Sequence, residues 1–237
     1  RAGIHRWSTV ARIARFPIEM VEFNVLDKDS LPYLIEGSDL VVHCAYGDRR
    51  VTEEGTENML RAALEVGVKR FVHLSTVEVY GNVSGQITES TPMKYSGSEY
   101  ADSKINAEKF CLEYQAKGLP IVILRPTVVY GPFGKAWTIS VAERLLSGKW
   151  RIPRHTGGFC QPVYVDDLVT AILLALKKES AVGEAFNIAG PEVLTWGDFY
   201  KRFSIAVSVS PPRQQSSWSV YTRAIFTAPL RTVAKSW

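Results

Sequence analysis

The sequence predicts an α/β chain, with a doubly wound, mostly parallel sheet and a small C-terminal lobe. Three observations carry this. Short apolar runs alternate with segments of helical period as far as about residue 134, and strands joined by crossover helices make parallel sheets. The runs Leu40-Val41-Val42-His43-Cys44-Ala45 and Arg70–Leu74 are near-continuous rather than alternating, as in strands covered on both faces. Ala45, Ser75-Thr76 and Pro126 all close such runs, and α/β sheets bind ligands beyond the carboxyl ends of their strands.

Taken in order, residues 1–23 hold a basic, partly helical stretch with Arg6, Arg12 and Arg15, interrupted by Pro17. A strand is expected over Arg1–Ile4 and another over Ile18–Leu26, followed by a turn at Asp27–Ser30. Ser30 is placed to cap a short helix, Leu31–Ile35, closed by Gly37. After the strand ending near Ala45, Thr52–Val66 carries Met59, Leu60, Ala63 and Leu64 at helical spacing and stops at Gly67, a residue suited to helix ends. Arg70–Leu74 is the next strand, and Gly81–Gly97 a loop. A long helix follows over Ser98–Lys117, stopped by Gly118 and Pro120, and then a strand over Ile121–Leu124. Past Gly134 the texture changes. A helix over Trp137–Leu146 ends at Gly148, and a Gly/Pro-rich connection spans Arg151–Pro162. Val163-Tyr164-Val165 leads into Asp166-Asp167, a pair suited to a helix N-terminus, and Leu168–Leu176 is amphipathic. Ala185–Ile188 reads as a strand, and Thr195 as the cap of a helix beginning at Trp196. Residues 1–134 thus form a core and 135–203 mainly a lobe interleaved with it. Residues 204–237 form a Ser/Pro-rich, mildly basic tail with a short helix over Val220–Ala228.

Composition excludes several classes. The 237 residues are 46% hydrophobic with a net charge of +4, ordinary for a globular protein and too mild a charge for a nucleic-acid partner. No apolar run reaches the roughly 18 residues of a membrane span, so no membrane partner is expected. Cys44, Cys111 and Cys160 are odd in number, far apart and in no ligand spacing. They argue against a metal site and a disulfide framework and for a reducing, cytoplasmic setting.

The chemistry centres on Tyr95-Ser96-Gly97-Ser98-Glu99-Tyr100-Ala101-Asp102-Ser103-Lys104. Tyr100 and Lys104 are four apart, so a helix sets them on one face, one turn apart. A phenol has a reference pKa of about 10, and a nearby ammonium favours the phenolate. A tyrosine tuned in this way can move a proton to or from a substrate hydroxyl. Upstream stands Phe71-Val72-His73-Leu74-Ser75-Thr76-Val77-Glu78-Val79-Tyr80-Gly81, and downstream Leu124-Arg125-Pro126-Thr127-Val128-Val129-Tyr130-Gly131-Pro132. These three segments in this order resemble the extended short-chain dehydrogenase/reductase family of NAD(P)-dependent epimerases, dehydratases and reductases, over about residues 1–203.

The resemblance implies a Rossmann-like, dinucleotide-binding core over 1–134 and a substrate lobe over 135–203. It implies an enzyme that transfers hydride and proton at a hydroxyl or carbonyl carbon, with Tyr100 as proton carrier, Lys104 tuning it and holding the nicotinamide ribose, and Thr76 donating to the substrate oxygen. Ser75 is the neighbouring alternative to Thr76. Cofactor contacts carried over are Asn24, in place of an Asp that holds the adenine, then Val25, Ala45 with Tyr46, Leu74, Ser75, Pro126 and Val129. The cofactor is NAD or NADP, with Arg6 leaning toward the 2′-phosphate of NADP. Two helices packing across a dimer, one of them carrying Tyr100, make a homodimer an expectation of the resemblance.

The pattern also breaks. The resemblance calls for a glycine-rich loop between a first strand and first helix, where backbone N–H groups approach the pyrophosphate; here the chain starts at the second strand. The absent strand would be central in the order 3-2-1-4-5-6. The expectation is a piece of a longer sequence, or poor cofactor affinity if the chain is complete. Thr52, Val128 and Cys160 replace an Asn, an Asn and an Arg common in nucleotide-sugar enzymes, with Arg151 or Arg154 as substitutes for the last. These changes lean toward a less charged alcohol, ketone, aldehyde or sugar derivative. The competing reading is a non-catalytic NAD(P)-binding regulator or truncated inactive homologue.

Overall fold

In a computed structural model the described residues are 1–5, 10, 13–153 and 158–215. Arg6, Arg12, Arg154 and the helix expected over 220–228 lie outside them. The chain divides into two compact units, Arg1–Pro126 with Leu168–Ile188, and Thr127–Asp167 with Ala189–Trp237.

The first unit is built on a four-stranded parallel sheet. Its strands are β3 (Leu40–His43), β4 (Arg70–Leu74), β5 (Ile121–Pro126) and β10 (Ala185–Ile188), in the order β10-β5-β4-β3. A second parallel pair, β1 (Ala2–Ile4) with β2 (Met20–Glu22), forms its own small sheet. Among the described residues neither β1 nor β3 has a partner on its other edge. β2 is shorter than the Ile18–Leu26 strand expected: the Asn24 side chain accepts from Leu26 N at 3.0 Å, and this Asx turn ends the extended backbone.

Helices cover both faces. On one side α1 (Leu31–Ile35), α2 (Arg49–Glu65) and α3 (Glu99–Ala116) meet the sheet. Leu31, Met59, Leu60 and Cys111 pack there against Val41, Phe71 and Ile121. On the other, α5 (Val165–Lys177) sets Ala171, Ile172, Ala175 and Leu176 against Val72, Val122 and Leu124. β4 and β5 are therefore buried on both faces, as their apolar runs predict. β3 is not: Leu40 and Val42 remain 49% and 38% exposed, because the second apolar cluster draws its strand residues from β4, β5 and β10. β10 returns the chain from the region past residue 134 to the core sheet, which places 168–188 in the first unit.

Helix ends follow local chemistry, with two corrections. α2 starts three residues before the expected Thr52, because Asp48 caps it through Val51 N at 2.9 Å. Ser30 precedes α1 but makes no cap; its hydroxyl donates to Asp27 O instead. Gly67 and Gly118 follow α2 and α3 at φ 75° and 100°, values that β-carbon-bearing residues rarely adopt.

The second unit is made of small strand pairs and two helices. β6 (Val129–Tyr130) pairs with β9 (Val163–Tyr164), β7 (Arg151–Pro153) with β12 (Arg213–Gln215), and β8 (Phe159–Cys160) with β11 (Leu194–Thr195). The helix expected over Trp137–Leu146 is a π-helical turn (Lys135–Ile139) running into α4 (Ser140–Leu146). α6 (Trp196–Ala206) begins as expected at Thr195, whose hydroxyl oxygen accepts from Asp198 N at 3.0 Å. Much of this unit's interior is aromatic: Trp196 stacks on both Trp137 and Tyr200, at 5.2 and 5.9 Å between ring centres.

Candidate active site

The carboxyl ends of β3 and β4 and the first turns of α3 bring the predicted groups together in the first unit. α3 is started by Ser98, which accepts from Ala101 N at 3.4 Å, and by the Asp102 carboxylate, which takes Ser96 N and Gly97 N at 2.8 and 3.0 Å. That carboxylate also suits the positive end of the helix. Tyr100 therefore stands in the first turn and Lys104 one turn on.

Lys104 is buried, and its ammonium donates to Leu74 O at 2.7 Å. Burial lowers its pKa to about 8, because a low-dielectric setting disfavours the charged form. Thr76 follows β4 as the cap of a short 3-10 helix, Val77–Tyr80. Its oxygen accepts from Glu78 N at 3.3 Å, which leaves the hydroxyl hydrogen for a partner in front. Tyr100 lies nearby, and the Thr76 hydroxyl favours its phenolate.

The net effect on Tyr100 corrects the sequence expectation. Its pKa is raised by partial burial above all, the nearby Thr76 hydroxyl opposing this and the charges of Glu78 and Tyr46 adding to it. The Lys104 ammonium is directed to the Leu74 carbonyl. Tyr100 is thus a neutral phenol at neutral pH.

Behind the site lies a polar seam that the motifs do not announce. His43 and His73 sit opposite each other on β3 and β4, with rings stacked 5.7 Å apart. His43 Nε2 bonds Thr56 Oγ1 at 3.1 Å, and Thr56 Oγ1 donates to Thr52 O at 2.6 Å. The Thr56 oxygen is therefore the acceptor, and Nε2 carries the proton of His43. Burial and then the Lys104 charge lower the pKa of both histidines, that of His43 to about 3. Both ring nitrogens of His73 and Oγ of Ser75 are buried without a hydrogen-bond partner among the described residues. One turn below Lys104, Glu108 holds buried Arg125 by bonds of 2.6 to 3.2 Å, and Arg125 donates to Tyr80 OH at 2.7 Å.

The remaining predicted residues are more dispersed. Asn24 and Val25 follow β2. Asn24 is exposed and its Oδ1 already serves Leu26 N. Val25 comes close to α2 because Gly55 has no β-carbon: one built there would lie 2.5 Å from Val25 Cγ2. Ala45 lies just past β3 and Pro126 ends β5, both in the first unit. Val129 belongs to β6 in the second unit, as does Cys160, which is buried. Sequence reasoning missed Glu78, whose carboxyl pKa is raised by partial burial beside Tyr100. Its spacing of two from Thr76 is the only signal it carried. His43 and His73 each interrupt an apolar run, but only the strand register sets them opposite each other.

A family model described as the NAD dependent epimerase/dehydratase family matches residues 2–189. The chain is 33% identical over 201 residues to the UDP-N-acetyl-alpha-D-glucosaminuronate decarboxylase of Bacillus cytotoxicus, covering 74% of this chain and 61% of the relative. It is 30% identical over 191 residues to an uncharacterized UDP-glucose epimerase of Bacillus subtilis, covering 73% of this chain and 59% of the relative. The chain thus spans about three-fifths of the length of these curated relatives. Among solved structures, the dTDP-glucose 4,6-dehydratase of Streptomyces venezuelae with NAD bound superposes with a TM-score of 0.78 at 26% identity, over 89% of this chain and 71% of that one. On the family match and the shared fold, the chain belongs to the NAD-dependent epimerase/dehydratase family.

Proposed function

We propose that this chain carries out hydride and proton transfer at a hydroxyl or carbonyl carbon of an activated sugar, as an NAD-dependent epimerase or dehydratase with Thr76, Tyr100 and Lys104 as its working groups. The observation that carries the reading is the placement of Thr76 at the end of β4 close to Tyr100 in the first turn of α3, with buried Lys104 one helical turn behind. The substrate class follows the relatives, which are named for UDP- and dTDP-sugars. Thr52, Val128 and Cys160 lean the other way, so a less highly charged sugar derivative is the alternative within the same class.

The residues present fit the nicotinamide side of NAD. An ammonium has three donors, and Lys104 uses one on Leu74 O; the other two suit ribose hydroxyls. Ser75 Oγ is buried with no hydrogen-bond partner among the described residues. On the adenine side Asn24 still offers its amide N–H groups and one lone pair. When bound, NAD takes up or returns a hydride at its nicotinamide.

The chain's own part is proton handling and orientation. The Thr76 hydroxyl has one hydrogen, which turns to the substrate oxygen when substrate is bound and fixes that oxygen beside the Tyr100 hydroxyl. Because Tyr100 is held neutral, it is ready to give its proton to that oxygen as a carbonyl becomes a carbinol. In the other direction it must accept the proton, and Thr76 steadies the charge while it does. Lys104 is cationic below about pH 8, which favours negative charge building up nearby.

The test is titration of the 237-residue chain with NADH and NADPH by nicotinamide fluorescence, then assay with UDP-glucose, UDP-glucuronate and dTDP-glucose. Saturable NADH binding and turnover of one sugar are expected. Tyr100→Phe should cut turnover about 10²- to 10⁴-fold, the usual contribution of a positioned acid–base group, with NADH binding nearly unchanged. Turnover by Tyr100→Phe at the parent rate overturns the assignment.

A further inference from the structure

Just past β3 a second tyrosine, Tyr46, stands against the proton carrier. Its ring lies edge-on to that of Tyr100, with centres 6.2 Å apart and planes at 73°, the arrangement that aromatic pairs prefer. Both rings are on the surface, Tyr46 69% and Tyr100 38% exposed. Burial in the core therefore does not explain the pairing.

The backbone just after Tyr46 is held. Gly47 N donates to Thr52 Oγ1 at 3.2 Å, and that hydroxyl returns a bond to Gly47 O at 3.4 Å. Thr52 itself is fully buried in α2. Asp48 caps α2 through Val51 N. Arg49 N donates to the Glu99 carboxylate at 3.0 Å, and Glu99 immediately precedes Tyr100. The loop after β3 and the first turn of α3 are thus stitched together by a bond one residue from the ring contact. Two chain segments 50 residues apart are fixed to each other at the point where Tyr100 must be aimed.

We propose that Tyr46 is a positioning residue for Tyr100, its ring edge holding the phenol in the orientation in which it meets Thr76. The inference rests on the reading of Tyr100 as proton carrier. Four groups face or flank that phenol: Thr76 from the end of β4, Glu78 from the 3-10 turn, Tyr46 from the loop after β3, and Lys104 on α3 itself. Removal of the Tyr46 ring opens Tyr100 to water on one side and removes one of the two groups that repel its phenolate. The phenol then titrates at lower pH and loses its fixed direction. A misplaced catalytic group lowers the chemical step more than substrate binding.

The experiment follows the tyrosine ring-carbon resonances of ¹³C-labelled protein through an alkaline pH titration, with Tyr100 assigned by its loss in Tyr100→Phe. The same variants are assayed for kcat and KM with the sugar that the panel identifies. Tyr46→Ala should lower the Tyr100 midpoint and reduce kcat about tenfold, with a much smaller change in KM. Tyr46→Phe keeps the ring but not the phenol charge, so its Tyr100 midpoint should lie between those of the parent and Tyr46→Ala, with kcat close to the parent value. Tyr46→Leu runs alongside as a second ring deletion. An unchanged Tyr100 midpoint in both ring deletions overturns the proposal. A loss confined to KM also overturns it, since Tyr46 would then act on the substrate directly. If Tyr100→Phe itself keeps full turnover, the carrier assignment fails, a result distinct from either of these.

Discussion

The neutral state of the buried bases decides how this protein responds to acid. His43 has its pKa lowered from 6.5 to about 3, by burial first and by Lys104 second, and His73 moves in the same direction for the same reasons. For a base whose pKa falls on folding, the unfolded chain binds more protons between the two values. Stability therefore rises with pH across that window and is lost as pH drops from about 6.5 toward 3. His43→Gln keeps a donor for Thr56 but cannot take a proton. Urea unfolding at pH 7 and pH 5 should show a smaller acid loss in His43→Gln than in the parent, by about 1 kcal/mol or more; equal losses would mean that His43 is charged in the folded state. Lys104 works in the same sense in alkali: its depressed pKa makes stability rise from about pH 8 upward. The buried Glu108–Arg125 pair is matched by direct hydrogen bonds, the condition under which a buried charge is tolerated.

Helix α3 shows how one element joins stability to chemistry. Tyr100, Lys104 and Glu108 repeat at four-residue spacing, so one stripe carries the exposed phenol, the buried ammonium and the buried carboxylate. Their different burial separates their roles. α5 depends on the opposite end of the sheet. Arg70, at the start of β4, is buried and donates to Ala175 O and Lys178 O at 3.1 and 2.9 Å and to Glu179 at 2.7 Å. It serves as a C-terminal cap reached from another element. Arg70→Met should cost about 1–3 kcal/mol, because those carbonyls lose a charged donor. Denaturant unfolding with hydrogen exchange checks it: faster exchange should be concentrated in the last turn of α5, and a uniform change would exclude the cap. The boundaries of α3 were legible in sequence because Ser98 caps its start and Gly118 follows its end, whereas α5 begins at Val165, three residues before the expected Leu168. β2 was over-extended because the Asx turn at Asn24 competes locally with an extended strand, and a run of apolar residues does not display that competition.

Across the chain, the two-stranded β1–β2 sheet and the four-stranded sheet rest on very different support. β4 and β5 are paired on both edges and covered on both faces, whereas a two-stranded sheet is marginal without packing partners. Native-state hydrogen exchange should protect β4 and β5 amides at close to the global unfolding free energy and those of β1 and β2 far less; equal protection would show a single cooperative sheet. The doubly wound class, the crossover helices, the place of Thr76 at the end of β4 and the one-turn spacing of Tyr100 and Lys104 were determined by sequence, since each rests on spacing within one element or on a motif that closes a strand. The exposed face of β3, the paired buried histidines, the raised pKa of Tyr100 and the Tyr46–Tyr100 contact were decided only by tertiary structure. Each depends on which distant segments are brought together and on how much water is left between them, and no local pattern of residues encodes either.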